Sequence, residues 1–384
     1  MNAVETLIAD EELQTELNEL ISSEPFNELS PSTQTAIRVR GLQKSYGAVE
    51  AVKGIDLDIE AGEIFGLIGP DGAGKTSVFQ VLGGVMQPSV GTVDMYGLPA
   101  REARSFVGYL TQTFSLYQDL SVAENLRYIG QLRLLSRAEI EERGGRYLKM
   151  FDMERFTDRL AGSLSGGMKQ KLALACALIA EPKILLLDEP TTGVDPVSRR
   201  EFWDALANLS SAGMTMIAAT PYLDEAERCH RVALMYDGLI YQTGTPAEIR
   251  SRTGLERLQM RAADLGRAEE ILNAVPSVKD AQRFGDRLDL MVSDIRTVEK
   301  LTRDALAFAG ITETEIRPAL PTLENAFVAT LRELSDEVET PTFPRRRQFR
   351  DRPSDAVAIE ARNLYKRFGV FTAVKDINIE IKYG

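Results

Sequence analysis

Two cysteines, Cys176 and Cys229, lie far apart in a chain of 384 residues. That excludes a disulfide framework and fits a reducing compartment. Long apolar runs are also missing. The longest uncharged apolar stretch is Leu172 to Ala180, well short of the ~20 residues that span a bilayer. The chain is therefore expected not to cross a membrane by itself, and its N-terminus does not read as a signal peptide. Nor is there a basic excess. With 45 basic and 57 acidic residues the net charge is −12, whereas nucleic-acid binders lean basic because phosphate neutralisation supplies much of their affinity. The acidity is local, however: residues 1–37 hold eight acidic and no basic side chains, which leaves −4 for the rest. What is present, 44% hydrophobic and 27% charged residues, is ordinary for a soluble globular protein of two to three domains.

The acidic tail, residues 1–35, carries Leu7, Leu13, Leu17, Leu20 and Ile21 at near-helical spacing. It reads as one short amphipathic helix in a solvated tail, or as a docking helix for a partner. A main domain follows over 36–250. Ile37–Arg40, Gly54–Glu60, Ile64–Ile68, Ile184–Leu187, Met214–Ala219 and Val232–Tyr236 read as strands, and Ser77–Leu82, Leu172–Ala180 and Ser198–Leu209 as helices. Short apolar strands alternating with helices predict a parallel sheet covered on both faces. Residues 256–333 read as strand, helix, strand, strand, helix, strand and a last helix, the order of a small ferredoxin-like α+β module. A linker over 334–357 holds Pro341, Pro344 and Pro353 and the basic cluster Arg345, Arg346, Arg347, Arg350 and Arg352. It reads as solvated, or as a surface for an acidic partner such as the chain's own tail. Finally, Ala358–Gly384 repeats Ala36–Gly62 without gaps, with 12 identities in 27 positions. A period this long is expected of a duplicated domain rather than a solenoid. Residues 358–384 then read as the start of a second domain, cut before its glycine loop.

Three motifs carry chemistry. Gly69-Pro70-Asp71-Gly72-Ala73-Gly74-Lys75-Thr76 fits the phosphate-binding pattern G-x-x-x-x-G-K-[ST], between a predicted strand and a predicted helix that opens at Ser77. Its glycines let backbone N–H groups converge on phosphates, Lys75 reaches the β- and γ-phosphates of ATP, and the Thr76 hydroxyl ligates Mg2+. Asp188 and Glu189 end a buried strand; Asp188 is placed to hold Mg2+ and Glu189 to act as general base on an attacking water. Leu164-Ser165-Gly166-Gly167-Met168 opens a helix with free N–H groups and a hydroxyl, an anion site.

In this order and spacing the motifs resemble the nucleotide-binding domain of an ATP-binding-cassette (ABC) protein, over 36 to about 250 and again over 358–384. The resemblance implies an α/β P-loop NTPase fold with antiparallel β and helical subdomains, the helical one at about 115–165. It implies that Tyr46 stacks on adenine, with Phe368 in its place in the repeat. Gln112 would sense Mg2+ and the γ-phosphate, and Gly193-Val194-Asp195 would form the loop that crosses to a partner domain. Such domains pair head to tail, so Ser165 and its neighbours would serve the partner's ATP. One departure stands out: Pro221 occupies the place of a histidine that contacts the γ-phosphate, and a proline side chain offers neither donor nor acceptor. The single histidine, His230, reads as a surface or structural residue. Cys229, Met214 and Met216 read as core. Thr322-Leu323-Glu324-Asn325-Ala326-Phe327 resembles the end of the small appendage of ATPases in drug and polymer export. The expectation is a cytoplasmic ATPase subunit, peripheral at the membrane's inner face, working with a second nucleotide-binding domain and separate membrane permeases; nucleic acid is not an expected partner. The alternative is a soluble tandem ABC ATPase acting on ribosomes or nucleic acid.

Overall fold

The computed structural model describes residues 35–113, 115–311, 313–334, 357–369 and 371–382. The expected tail helix and the basic linker lie outside the described residues. The chain divides into two units, residues 1–334 and 335–384.

The first unit opens with a hairpin, Thr35–Tyr46 (β1) and Val49–Glu60 (β2), and continues with Ile64–Ile68 (β3) and Lys75–Leu82 (α1). Then come Val90–Met95 (β4), Leu98–Pro99 (β5) and Val107–Leu110 (β6), followed by the helices Val122–Leu132 (α2), Arg137–Met150 (α3) and Gly166–Leu178 (α4). Ile184–Asp188 (β7), Pro196–Ser211 (α5), Thr215–Thr220 (β8), Leu223–Ala226 (α6), Arg231–Tyr236 (β9), Leu239–Gly244 (β10) and Pro246–Arg252 (α7) complete this part. β10-β9-β3-β8-β7-β6 form one sheet, parallel except for the β10–β9 pair. β2-β1-β4-β5 form a second, antiparallel sheet.

The central strands are short because both faces are buried. Every residue of β3, β7 and β8 is buried, and alternate side chains feed two cores. Leu185 and Leu187 of β7 join Trp203, Leu172 and Met216 on one side. Ile184 and Leu186 join Phe65, Phe79 and Ile217 on the other, continuous with the antiparallel sheet. This is the two-sided burial that continuous apolar runs predict. Cys229, Met214 and Met216 lie in the first core, as read from the sequence, and Cys176 lies there too.

Several elements exceed their sequence-based bounds. β1 runs on past Arg40 because Gly41, at φ +54, sits in a register shift between Val39 and Leu42, which breaks the alternation without ending the strand. α4 begins six residues before Leu172, since the Ser165 side chain caps it by accepting from Met168 N–H at 3.3 Å. α2 and α3 each open with a reciprocal capping box, Ser121 with Glu124 and Ser136 with Glu139.

Glu256–Ala262 (β11), Leu265–Asn273 (α8), Val278–Phe284 (β12), Arg287–Val292 (β13), Ile295–Phe308 (α9) and Glu313–Ala319 (β14) form the small module, and Leu323–Leu334 (α10) follows. Its antiparallel sheet runs β12-β13-β11-β14. Leu272, Val298 and Leu306 of its two helices pack on Leu258 and Leu290 of its strands. α10 leaves that core: Leu323 and Ala326 join the first core, with Ala226, Cys229 and Ile249, and Thr330 accepts from Gln242 Nε2 at 2.9 Å.

In the second unit Val357–Phe368 (β15) and Phe371–Lys382 (β16) form a hairpin. Its register repeats that of β1–β2. Ile359 faces Ile381, Leu364 faces Ile377 and Lys366 faces Val374, as Ile37 faces Ile59, Leu42 faces Ile55 and Lys44 faces Val52. Asn363 and Asp376 take the left-handed backbone of Gly41 and Gly54.

Removing the Leu323 side chain is expected to cost about 2–5 kcal/mol, the usual range for a buried leucine cut to alanine. Urea unfolding of Leu323→Ala should report a loss in that range; an unchanged midpoint would mean that α10 does not hold to the core.

Candidate functional site

The glycine loop leaves β3 at a fully buried strand end and turns into α1. Close approach requires its glycines. A Cβ on Gly69 would sit 2.1 Å from the Met235 carbonyl oxygen, and one on Gly74, at φ +103, 2.3 Å from that of Ala51. The turn between β9 and β10 braces the loop, with Gly238 N–H donating to Ala73 O at 3.0 Å. Within it, Ala73 N–H donates to Pro70 O. Asp71 and Gly72 stand exposed, Pro70, Thr76 and Ser77 half-buried, and Lys75 buried. The Lys75 ammonium donates to the Gly69 and Pro70 carbonyls at 2.8 and 2.9 Å and lies 3.8 Å from Glu189 Oε1. Burial lowers its pKa, against the pull of Glu189, Asp71 and Asp188.

β7 delivers the two carboxylates beside this loop. Thr76 Oγ1 donates to Asp188 Oδ1 at 3.4 Å. Burial pushes the Asp188 carboxyl above its usual range, opposed by the Thr76 hydrogen bond and Lys75, and Tyr109 adds a side-chain hydrogen bond. Glu189 has a left-handed backbone, φ +50, an uncommon conformation outside glycine. Its N–H donates to Ala219 O at 2.9 Å. Gln112 Nε2 donates to Glu189 Oε2 at 2.9 Å, and Thr192 Oγ1 to the same oxygen at 3.3 Å. Lys75, Thr76, Gln112, Asp188 and Glu189 thus come together.

The other residues singled out in the sequence lie around this centre. Tyr46 is 41% exposed, with Lys44 over its ring and its hydroxyl donating to Gln80 Oε1 at 3.2 Å. Leu164 and Gly167 are buried, Met168 is half-buried, and Ser165 and Gly166 are exposed. The close approaches of Gly166 and Gly167 run to Gly193 and Ser198, which joins this segment to the loop before α5. Pro221 follows the last residue of β8 and is half-buried. His230 is exposed; its Nδ1 accepts from Ile64 N–H at 3.0 Å and its own N–H pairs with Ile64 O, a link that ties β9 to β3. Among the described residues no three His, Cys, Asp or Glu side chains gather as a metal cage. One hydroxyl and one carboxylate suit Mg2+, which keeps water and phosphate oxygens as its other ligands. Sequence reading missed Tyr109 beside Asp188 and the buried Glu225, which binds Thr191 and Thr220. No motif marks them, since their partners come from distant segments.

A glycine loop between strand and helix, with its lysine against the carboxylates at the end of β7, two strands away in the sheet, defines a P-loop nucleotide-binding domain. Residues 52–192 match the family described as ABC transporter. The chain is 33% identical over 308 residues to a daunorubicin resistance ATP-binding protein of Streptomyces coeruleorubidus, covering 77% of this chain and 95% of that protein. It belongs to the ABC transporter family and has the ABC ATPase fold. It is also 37% identical over 357 residues to the probable multidrug ABC transporter ATP-binding protein YbhF of Escherichia coli; the match covers 91% of this chain and 61% of that protein's length. A Nod factor export ATP-binding protein of Cupriavidus metallidurans is 36% identical, over 67% of this chain and 86% of its own. Among solved structures, cbiO1 of Clostridium perfringens, part of the ABC transporter complex cbiONQ, aligns with a TM-score of 0.53 at 30% identity, over 57% of this chain and 92% of its own.

Lys75→Ala is expected to weaken ATP binding at least tenfold, about 1.4 kcal/mol, as read by titration with a fluorescent ATP analogue; an unchanged constant would mean that the loop binds no phosphate. For Asp188 the sign follows from its raised pKa. The folded carboxyl holds its proton more tightly than the unfolded one, so its contribution is favourable in acid and is lost as pH rises from 3.8 through the folded value. At pH 7 the ionised group opposes folding. Asp188→Asn should therefore raise the thermal midpoint of the nucleotide-free protein by a few degrees at pH 7, while ATP binding stops responding to Mg2+.

Proposed function

We propose that this chain is the ATP-binding and ATP-hydrolysing part of an ABC export system, coupled to separate membrane permease subunits. The observation that carries the reading is the cluster of Lys75, Thr76, Gln112, Asp188 and Glu189 at the ends of β3 and β7. The names of the relatives support the export role.

In this reading the loop 69–77, through the backbone N–H groups other than at Pro70, and the Lys75 ammonium bind the phosphates, and Tyr46 packs on adenine. Thr76, Asp188 and Gln112 hold Mg2+, which neutralises phosphate charge when bound. Glu189 accepts a proton from the attacking water, held in place by Gln112 and Thr192. Pro221 can make no contact to the γ-phosphate, so this site hydrolyses slowly and serves mainly to hold two domains together. Leu164 to Met168 complete the partner domain's site. The β15–β16 hairpin is read as the opening of that second domain. Its register and left-handed positions repeat β1–β2, and Ile359, Leu364, Ile377 and Ile381 stand 41–59% exposed where Ile37, Leu42, Ile55 and Ile59 are at most 2% exposed. Such an exposed apolar face supports the reading, since apolar patches of this kind mark surfaces that pack on other structure.

The βαββαβ order and the β12-β13-β11-β14 sheet support the ferredoxin-like reading of residues 256–333, apart from the last helix, α10, which packs on the first core. Permease docking falls on the helical part at about 115–165, where Tyr117, Leu132 and Leu134 are exposed. No described helix is long and apolar enough to cross a membrane, which suits a peripheral subunit at the cytoplasmic face. The compact small module and the Thr191-Thr192-Gly193-Val194-Asp195 loop favour export over ribosome work. Copurification with membrane subunits supports this reading; cosedimentation with ribosomes overturns it. In a protein with both nucleotide-binding domains, Ser165→Ala should lower ATPase activity more than Glu189→Gln does. The reverse order would make this half the main site of turnover.

A further inference from the structure

Glu225 is 1% exposed, the most buried glutamate among the described residues. A carboxylate removed so fully from water is tolerated when its oxygens are occupied, and both are. Oε2 accepts from Thr220 Oγ1 at 2.6 Å, and Oε1 accepts from Thr191 Oγ1. Arg199 Nε lies 3.6 Å from Oε1, and the same guanidinium stacks over the Tyr222 ring at 4.5 Å and reaches Asp224 Oδ2 at 3.7 Å. Thr220 also accepts from Tyr222 N–H at 3.0 Å. Four segments therefore meet on one carboxylate: the end of β8, the turn through Pro221, the loop after Glu189, and α5.

The loop after Glu189 is short and tethered at both ends. Thr192 N–H donates to Glu189 O, and Val194 N–H to Thr191 O. At its far end Gly193 crowds Gly166, and Ser198 in the first turn of α5 crowds Gly167. Thr191 is buried at 1% exposure, and its hydroxyl donates to Glu225. We propose that Glu225 is a positioning residue, which clasps the loop 190–195 to the turn at Pro221 and so fixes how Glu189 and the segment 164–168 lie relative to each other. The proposal rests on the reading of Gly193-Val194-Asp195 as the loop that crosses to a partner domain. It assigns to a buried carboxylate the link between the two ends of the site, on the side where Pro221 makes no polar contact.

A purely structural carboxylate would, when altered, loosen the whole sheet; a clasp releases one loop. Hydrogen exchange of this chain, followed by mass spectrometry with and without Mg·ATP, separates the two. Glu225→Gln and Thr191→Val should each speed exchange of amides 191–195 at least tenfold. Exchange in β3 and β9, and the ATP dissociation constant, should stay within twofold. At 191–195 the double variant should be no faster than Thr191→Val alone, since the Thr191–Glu225 bond is the one that ties this loop to the carboxylate, and Thr191→Ser, which keeps the hydroxyl, should restore protection. Unchanged exchange at 191–195 in folded Thr191→Val protein overturns the proposal, as does a rise spread evenly over the sheet. Failure of the unaltered chain to bind Mg·ATP would instead strike the nucleotide reading, and the exchange data would still decide the clasp.

Discussion

Everything at this site depends on holding a lysine ammonium and two carboxylates out of water at the ends of two parallel strands. Taking such charges out of water is costly, and their mutual attraction offsets the cost only where geometry is fixed. The directions of the shifts agree: burial lowers Lys75 and raises Asp188, each against the pull of the other. Fixed geometry comes from strands buried on both faces, with one core on each side of the central sheet. It comes also from the close approach of Gly69 to Met235, where a Cβ would lie 2.1 Å from the carbonyl oxygen. The site is held ready for a polyanion, whose negative charge would relieve the lysine.

Glu189 gathers the surrounding loops. Lys75, Gln112 and Thr192 approach its side chain, and Ala219 accepts its N–H. A left-handed backbone at φ +50 turns the chain there. Such strain persists where several contacts over-determine a residue, and four segments do so here. Movement of any one segment is therefore felt at the carboxylate.

The sequence made the strands of this centre legible because β3 and β7 are short apolar runs bounded by glycines or carboxylates, a pattern with few other readings. The glycine loop was legible because its spacing is dictated by phosphate geometry. The bounds of β1 were not, since a bulge at Gly41 hides the alternation. Glu225 was not legible either. In Leu223-Asp224-Glu225-Ala226 nothing in the sequence separates the two adjacent acids, yet Asp224 is exposed and Glu225 buried. Only the packing of α5 and the loop after Glu189 buries Glu225. The small module's elements followed from plain alternation and helical periodicity, whereas the docking of α10 on another core depends on contacts far apart in sequence.

The two hairpins show how much of a strand pair's character lies outside it. β15–β16 keeps the register of β1–β2 and keeps left-handed backbone at the corresponding bulge positions, though Asn363 and Asp376 stand where the first has glycine. Asn and Asp tolerate that conformation better than other non-glycine residues, so the local geometry survives substitution. The environment does not follow from it. Ile37 and Ile59 are wholly buried by β4, α1 and the central sheet's second core, and Ile359 and Ile381 stand half exposed. Pairing is set by local sequence, burial by what packs on top. An isolated two-stranded hairpin is marginal in water, and the register that β15–β16 shares with β1–β2 follows from the local sequence they share.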